Sequence, residues 1–408
     1  MSRRWSFSWR LTPQLMSLAR ISRLMADFWR PEMAVEQIST LQHEVLASGF
    51  DLGGLRLRNR IVMAPMTREC APDGVPTAEM ANYYARRAEG GVAMIVTEGA
   101  APNEEGRFGR NVPRLYGADA LAGWERIVAP VKAADAAILA QVWHVGAFVP
   151  SMIGMTDSLD VTRVSPSGLA APGRLIGKAM TTRQIARTVR DYGQAAREAR
   201  EVGFDGVEIH AAHGYLPDQF FWSASNLRED CYGGNIAARC RFAAEIIAEC
   251  KAQAGSDFIV TLRLSQWKQL DFLAHVAESP EELSDWLMPL MKSGADGFHV
   301  STRRFWDQAF PSSEASLASW VRRLSGRPVI AVGSALMDRD FKAEGGKQRG
   351  DLVPRTLRWA AEAIEDGEFD LIAFGRALLA NPDLAQRLVS GDVTGLRDYD
   401  RGYLDELK

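Results

Sequence analysis

Cysteine and strong net charge are both scarce in this 408-residue chain. Its four cysteines, Cys70, Cys231, Cys240 and Cys250, form no C-x-x-C pair and no His/Cys cluster at zinc spacing, which argues against a disulfide framework or a structural zinc site. A reduced, cytoplasmic setting is expected. The net charge is only −3, so no global field points to nucleic acid or to an anionic membrane as partner. No apolar run is long enough for a membrane span. No G-x-G-x-x-G turn occurs, which removes the phosphate cradle that a doubly wound dinucleotide-binding sheet requires.

What charge there is lies unevenly. Residues 1–30 carry six arginines against Asp27 alone, a net +5 in a chain of −3, so the remainder carries −8. Arginine and serine there alternate with Trp5, Phe7, Trp9, Leu11, Phe28 and Trp29, a pattern open to a targeting or membrane-surface helix. The preferred reading takes Met33 as the natural start and residues 1–49 as a basic extension, disordered or an artefact of start assignment. The catalytic domain is expected over residues 50–395 and a short tail over 396–408.

From residue 50 onward, short β-branched apolar runs alternate with helical patterns. The strands are expected at 61–66, 92–98, 137–143, 206–210, 258–264, 297–301, 328–333 and 371–375. Segments such as 182–202 and 236–254 carry apolar residues at helical spacing between them, as crossover helices do. Eight such units fit an α/β fold of the (β/α)8 TIM-barrel type, which needs about 250 residues plus insertions. A Gly/Pro/Ser-rich loop over 146–181, after the third strand, is expected as a lid, and the charged stretch 337–354 as a solvated excursion.

Chemistry in such a barrel sits at the carboxyl ends of the strands. Strand one ends in Ala64-Pro65-Met66-Thr67-Arg68, strand three carries Gln141 and His144, and strand five carries Arg263. The densest set follows strand four, where His210, His213 and Tyr215 cluster with Gly214. Strands seven and eight end in Gly333-Ser334 and Gly375-Arg376, where exposed backbone N–H groups and an arginine suit a phosphate. Phe305 and Trp306, past strand six, are candidates for the pocket wall. Each residue alone has a plainer explanation: Arg263 as a core ion pair, Gln141 as a buried spacer, the glycines as tight turns, Tyr215 as a core aromatic. Four different strand ends agreeing favours a site. His-x-x-His would also serve a metal-dependent barrel hydrolase, but no third and fourth ligand appear at the other strand ends, so no metal is expected. Asn226, Arg228 and Asp230 are expected to pair locally around the Gly233-Gly234 turn.

The motifs APMTR at 64–68, QVWH at 141–144, HAAHGYLPDQF at 210–220, SNLREDCYGG at 225–234, TLRLS at 261–265 and AFGRALLANPDL at 373–384 together resemble the Old Yellow Enzyme family of FMN-dependent oxidoreductases, in that family's order, from about Leu52 to Leu388. The resemblance implies FMN as cofactor and NADPH or NADH as reductant. It implies that Ala64, Pro65, Met66 and Gly99 line the flavin ring, that Thr67, Gln141 and Arg263 bond its polar edges, and that Gly333, Ser334, Gly375 and Arg376 take its phosphate. His210 and His213 would then hold a substrate carbonyl while flavin N5 delivers hydride to the β carbon and Tyr215 protonates the α carbon. The implied partner is a small enone-type molecule, with the protein monomeric or homo-oligomeric. Ala147-Phe148 stands where a basic residue is common in the family, and LSQWKQLDF at 264–272 and STRRFW at 301–306 resemble a bacterial subgroup.

Overall fold

The computed structural model describes residues 40–155, 159–311, 313–337, 352–404 and 407. The basic head and most of the charged stretch after strand seven lie outside the described residues.

Eight parallel strands close into a barrel: β1 (Ile61–Met63), β2 (Met94–Ala100), β3 (Ala137–Val142), β4 (Gly206–His213), β5 (Ile259–Lys268), β6 (Gly297–Ser301), β7 (Val329–Val332) and β8 (Leu371–Phe374). Neighbours in sequence are neighbours in space, and β8 pairs with β1 to complete the ring. Every strand residue but Val332 is buried, because one face fills the barrel and the other lies under helices, which explains the unbroken apolar runs in the sequence.

The helices between strands are α1 (Ala78–Glu89), α2 (Ala118–Ala133), α3 (Thr182–Glu201), α4 (Ile236–Ala254), α5 (Pro280–Lys292), α6 (Leu317–Ser325), α7 (Leu352–Glu365) and α8 (Arg376–Ala380). Their starts are written in polar caps. Thr181 and Gln184 make a reciprocal capping box at α3, and Asn235 and Ser279 accept from Ala238 and Glu282 N–H at α4 and α5. The main core lies between strands and helices and includes Trp124, Trp286, Phe242 and Tyr192, all fully buried. Each such side chain contributes roughly 1.5–3 kcal/mol on transfer from water.

A hairpin, Phe50–Leu52 with Leu55–Leu57, turns on Gly53 and Gly54, whose φ values of 61° and 98° suit a two-glycine turn. Its Leu52 and Leu57 join Val62, Met94, Val96, Leu139, Ile259, Ile330 and Leu371 in a second core that plugs the amino-terminal end of the barrel. The opposite end is the one left for a ligand. Preceding the hairpin, the helix Thr40–Ala47 places Leu46 in the main core, so folded structure begins within the segment read as an extension. At the other terminus, Tyr403 O and Leu404 O accept from Arg68 at 2.9 and 3.3 Å.

The loop after β3 has structure of its own. Val164–Ser165 pairs with Lys178–Ala179, and Leu169–Ala171 forms a hairpin with Arg174–Leu175. Buried Arg163 ties this loop to the one after β2 by donating to Arg107 O and Phe108 O. No helix among the described residues is long and apolar enough to cross a membrane.

Candidate active site

The β4 strand runs further than its apolar run, through both histidines to His213, rather than ending at residue 210. Strand alternation would place residues three apart on opposite faces. The register with β5 shifts between Ala211 and His213, and His213 takes φ 64°, in the left-handed region. This bulge turns His213 back toward the mouth, where its ring meets that of His210 edge to face at 5.1 Å. Tyr215 follows two residues later at the start of the short helix Leu216–Phe221, its ring 4.9 Å from His210 and 6.4 Å from His213.

Beneath the histidines lies a ring of polar side chains from consecutive strands. Arg263 is level with His210 on one side and His299 on the other. Glu208 accepts from Gln141 Nε2 at 2.8 Å and meets His299 Nδ1 at 2.7 Å, both within a fully buried layer. Arg263 reaches Ser301 Oγ at 3.4 Å, and Ser301 Oγ lies 2.8 Å from His213 Nε2. Burial, reinforced by the Arg263 charge, holds His210 and His213 well below the usual histidine range, so both rings are neutral. Burial pushes the Tyr215 hydroxyl upward, with Arg263 opposing it. His299 is lowered by burial, while for Glu208 burial works upward but is outweighed by His299, Arg263 and the Gln141 hydrogen bond together, which hold its carboxyl below the usual range.

Aromatic side chains wall the cluster. Trp143 stacks on His210 and meets Tyr215 at 5.0 Å, Phe148 meets Tyr215 at 5.3 Å, and Phe108 stacks on Trp143. On the other side Trp267 stacks on His213 at 4.3 Å. Phe148 and Trp267, from two of the stretches set apart in the sequence, therefore border the cluster at Tyr215 and at His213 respectively.

The remaining sequence candidates divide. Ala64, Pro65, Met66 and Thr67 follow β1, with Thr67 exposed, and the segment is anchored behind by Glu98, whose carboxylate accepts the Arg68 N–H at 3.1 Å. Burial lifts that carboxyl to about 7. Gly99 pairs with Gln141, and a side chain there would meet the Trp143 ring at 2.5 Å, so its bareness seats the tryptophan. Gly333, Ser334, Gly375 and Arg376 stand together after adjacent strands β7 and β8. Phe305 and Trp306 turn away into the helix layer, with ring contacts to Phe369 and Trp359 rather than to either histidine. The reason is Gly333, which lets the 302–305 segment cross it closely enough for Phe305 N–H to donate to Gly333 O. His144 is sealed, accepts from Gly146 N–H, and is lowered to about 3 by burial and by Arg163 and Arg187. Arg228 and Asp230 pair locally, as the turn there suggested, and Asn226 holds Phe220 O and Tyr232 O.

The Glu208–His299 pair, Ser301 and Glu98 were not singled out by sequence as members of the site. Strand alternation marks 299 and 301 as sharing a face, but nothing local pairs them with β4. Among the described residues, no three His, Cys, Asp or Glu side chains come together to hold a metal.

The donor set fits a flavin. Arg263 is a buried cation whose Nε has no hydrogen-bond partner, and Trp143 Nε1 and His210 Nδ1 are likewise unpartnered and buried. An electron-rich, acceptor-bearing ring suits such a place.

Residues 46–358 match the model of the NADH:flavin oxidoreductase / NADH oxidase family. The chain is 31% identical over 361 residues to 12-oxophytodienoate reductase 7 of Oryza sativa subsp. japonica, covering 84% of this chain and 87% of the relative. It is 32% identical over 373 residues to a chanoclavine-I aldehyde reductase of Penicillium roqueforti, covering 87% and 92%. Among solved structures, morphinone reductase in complex with tetrahydroNAD matches with a TM-score of 0.73 at 28% identity, covering 88% of this chain and 93% of that one. The Old Yellow Enzyme homologue from Zymomonas mobilis matches at 0.71 and 28%, covering 88% and 96%. The chain belongs to the Old Yellow Enzyme family, whose (β/α)8 barrels use FMN with NAD(P)H as oxidoreductases of the ene-reductase type.

Proposed function

We propose that this chain reduces the activated C=C bond of α,β-unsaturated carbonyl compounds with NAD(P)H, in a ping-pong cycle at His210, His213 and Tyr215. Bound FMN supplies the hydride chemistry, accepting from the nicotinamide and donating to the β carbon of the substrate. The observation that carries the reading is the convergence of two neutral imidazoles and one phenol, within 4.9–6.4 Å of one another, above a buried arginine.

Neutral imidazoles donate hydrogen bonds without carrying charge into the site, which suits a carbonyl oxygen that gains negative charge only in the transition state. Arg263 donates toward Ser301 Oγ, which leaves the serine proton for His213 Nε2 and puts the ring proton on Nδ1. Tyr215, raised by burial, keeps its proton until a basic carbon develops beside it. Arg263 would hold the pyrimidine edge of the flavin. The Gln141 amide nitrogen faces the Glu208 carboxylate, so its oxygen is the group left to accept an N–H of the ring. Thr67 would bond the O4 side, Ala64, Pro65 and Met66 would line the ring, with Gly99 acting through Trp143, and Gly333, Ser334, Gly375 and Arg376 would take the phosphate. The relatives named as reductases of 12-oxophytodienoate, chanoclavine-I aldehyde and morphinone support a carbonyl-bearing substrate.

The test is the visible spectrum of the purified protein, followed anaerobically by NADPH and then 2-cyclohexenone. Flavin absorbance that bleaches on the first addition and returns on the second is the expected result. A protein that binds no FMN, or reduced flavin that no enone reoxidises, would overturn the reading.

A further inference from the structure

Two buried charges lie beside the turn that presents Tyr215, outside the chemistry proposed above. Lys268 ends β5 and Asp218 sits in the helix Leu216–Phe221; their side chains are 1% and 0% exposed and meet at 2.7 Å. Removing two charges from water is costly, and apolar side chains of similar volume often serve stability as well, so stability alone does not account for the pair.

The bonds made with the main chain do. Asp218 Oδ1 accepts from Lys268, and its Oδ2 accepts the Gly214 N–H at 2.6 Å. Gly214 O accepts from Gln219 Nε2 at 2.7 Å. The His213 N–H donates to Ser265 Oγ at 3.0 Å, and His213 O accepts the Gln269 N–H at 3.1 Å. All four backbone polar groups of the left-handed residues His213 and Gly214 are thus held, and only the Asp218 bond is charge-assisted. Burial pushes the Asp218 carboxyl upward, and Lys268 together with the Gly214 N–H opposes that rise by favouring the ionised form.

We propose that Asp218 and Lys268 are positioning residues that aim the Tyr215 hydroxyl through the Gly214 N–H, and so govern substrate protonation without affecting hydride supply to the flavin. The proposal rests on Tyr215 as proton donor.

Two double variants separate aim from stability. Asp218→Leu with Lys268→Met, and Asp218→Asn with Lys268→Met, both remove the charges together, but only asparagine keeps an acceptor for Gly214. Each is measured anaerobically in the two half-reactions, with NADPH and with 2-cyclohexenone, and amide exchange is followed over residues 213–216. The leucine variant is expected to slow the enone step by at least about tenfold, with the NADPH step within about threefold, and to exchange faster at 213–216. The asparagine variant is expected to restore the enone step and the protection. Combining Tyr215→Phe with the leucine pair should be no slower than Tyr215→Phe alone. Equal slowing by both double variants, or of both half-reactions, overturns the proposal and leaves Tyr215 as donor. A Tyr215→Phe variant that reduces enone at the parent rate removes the functional reading and the proposal with it. Should the leucine variant fail to fold, Lys268→Arg against Lys268→Gln makes the same comparison, arginine retaining the enone step and glutamine losing it; equal rates overturn the proposal.

Discussion

His210 and His213 reach the mouth by different routes, one by ordinary strand alternation and one by a bulge, and this difference bears on how each tolerates change. Either alanine variant removes one donor from the developing oxyanion, a loss of ~3 kcal/mol or roughly a hundredfold in turnover. Steady-state kinetics with 2-cyclohexenone checks both; a change under threefold in either would exclude that ring from the oxyanion site. His213→Asn should retain more activity than His213→Gln, because asparagine keeps a donor and accepts the left-handed φ of 64°, which longer side chains resist. Arg263→Met should lower the fraction of protein purified with flavin, since a buried apolar side chain would replace the cation proposed to hold the ring; absorbance per mole of protein measures it. Equal flavin content in the parent and this variant would show that Arg263 serves only the Ser301–His213 chain.

At the scale of elements, strands were legible because β-branched apolar runs have few alternatives once they lie between helical periods, and the barrel follows from their number and order. The site was legible where it depends on strand ends, as with Gln141, His210 and Arg263. It was not legible where it depends on contact between strands that are not neighbours, and the bulge that turns His213 inward left no sequence signal although the residue itself stood among the candidates. The Glu208–His299 pair bridges β4 and β6 past the β5 strand, and no sequence period reports such a contact. Phe305 and Trp306 show the complementary failure: an aromatic pair past a strand can enter the mouth or the helix layer, and the close crossing at Gly333 decides it. Gly99 gives this dependence a test. A methyl added there would lie 2.5 Å from Trp143 Cε3 and 2.8 Å from Cδ2, so the indole must move, and with it the wall against His210 and Tyr215. Gly99→Ala should cost about 1–3 kcal/mol in stability by overpacking and also reduce enone turnover. Thermal denaturation and kinetics together check it, and an unchanged melting midpoint would mean that the wall yields freely.

The whole molecule gathers buried titratable groups around its barrel, and their opposing signs set how stability responds to pH. In the unfolded chain His144, His210 and His213 take up protons near 6.5, but the folded protein resists doing so until much lower pH, near 3 for His144. Between those limits the unfolded state binds more protons, so each histidine makes stability rise with pH by up to about 1.4 kcal/mol per unit. The Glu208–His299 pair, with both members lowered, acts in the same direction. Glu98 acts against them: raised from 4.5 to about 7, it keeps its proton in the folded state where the unfolded carboxyl has lost it, so its contribution declines as pH climbs through that window. His144, His210 and His213 alone outweigh the one carboxyl, and with His299 adding in the same direction the protein should be at least about 2 kcal/mol less stable at about pH 5.5 than at about pH 7. Glu98→Gln keeps the shape but removes the opposing titration, so the same interval should then span at least about 4 kcal/mol. Urea denaturation of both proteins at the two pH values measures the pair of differences. A Glu98→Gln variant with the parent's pH dependence would show that Glu98 does not titrate in this range, and that the segment carrying Thr67 is anchored by a carboxylate ionised throughout.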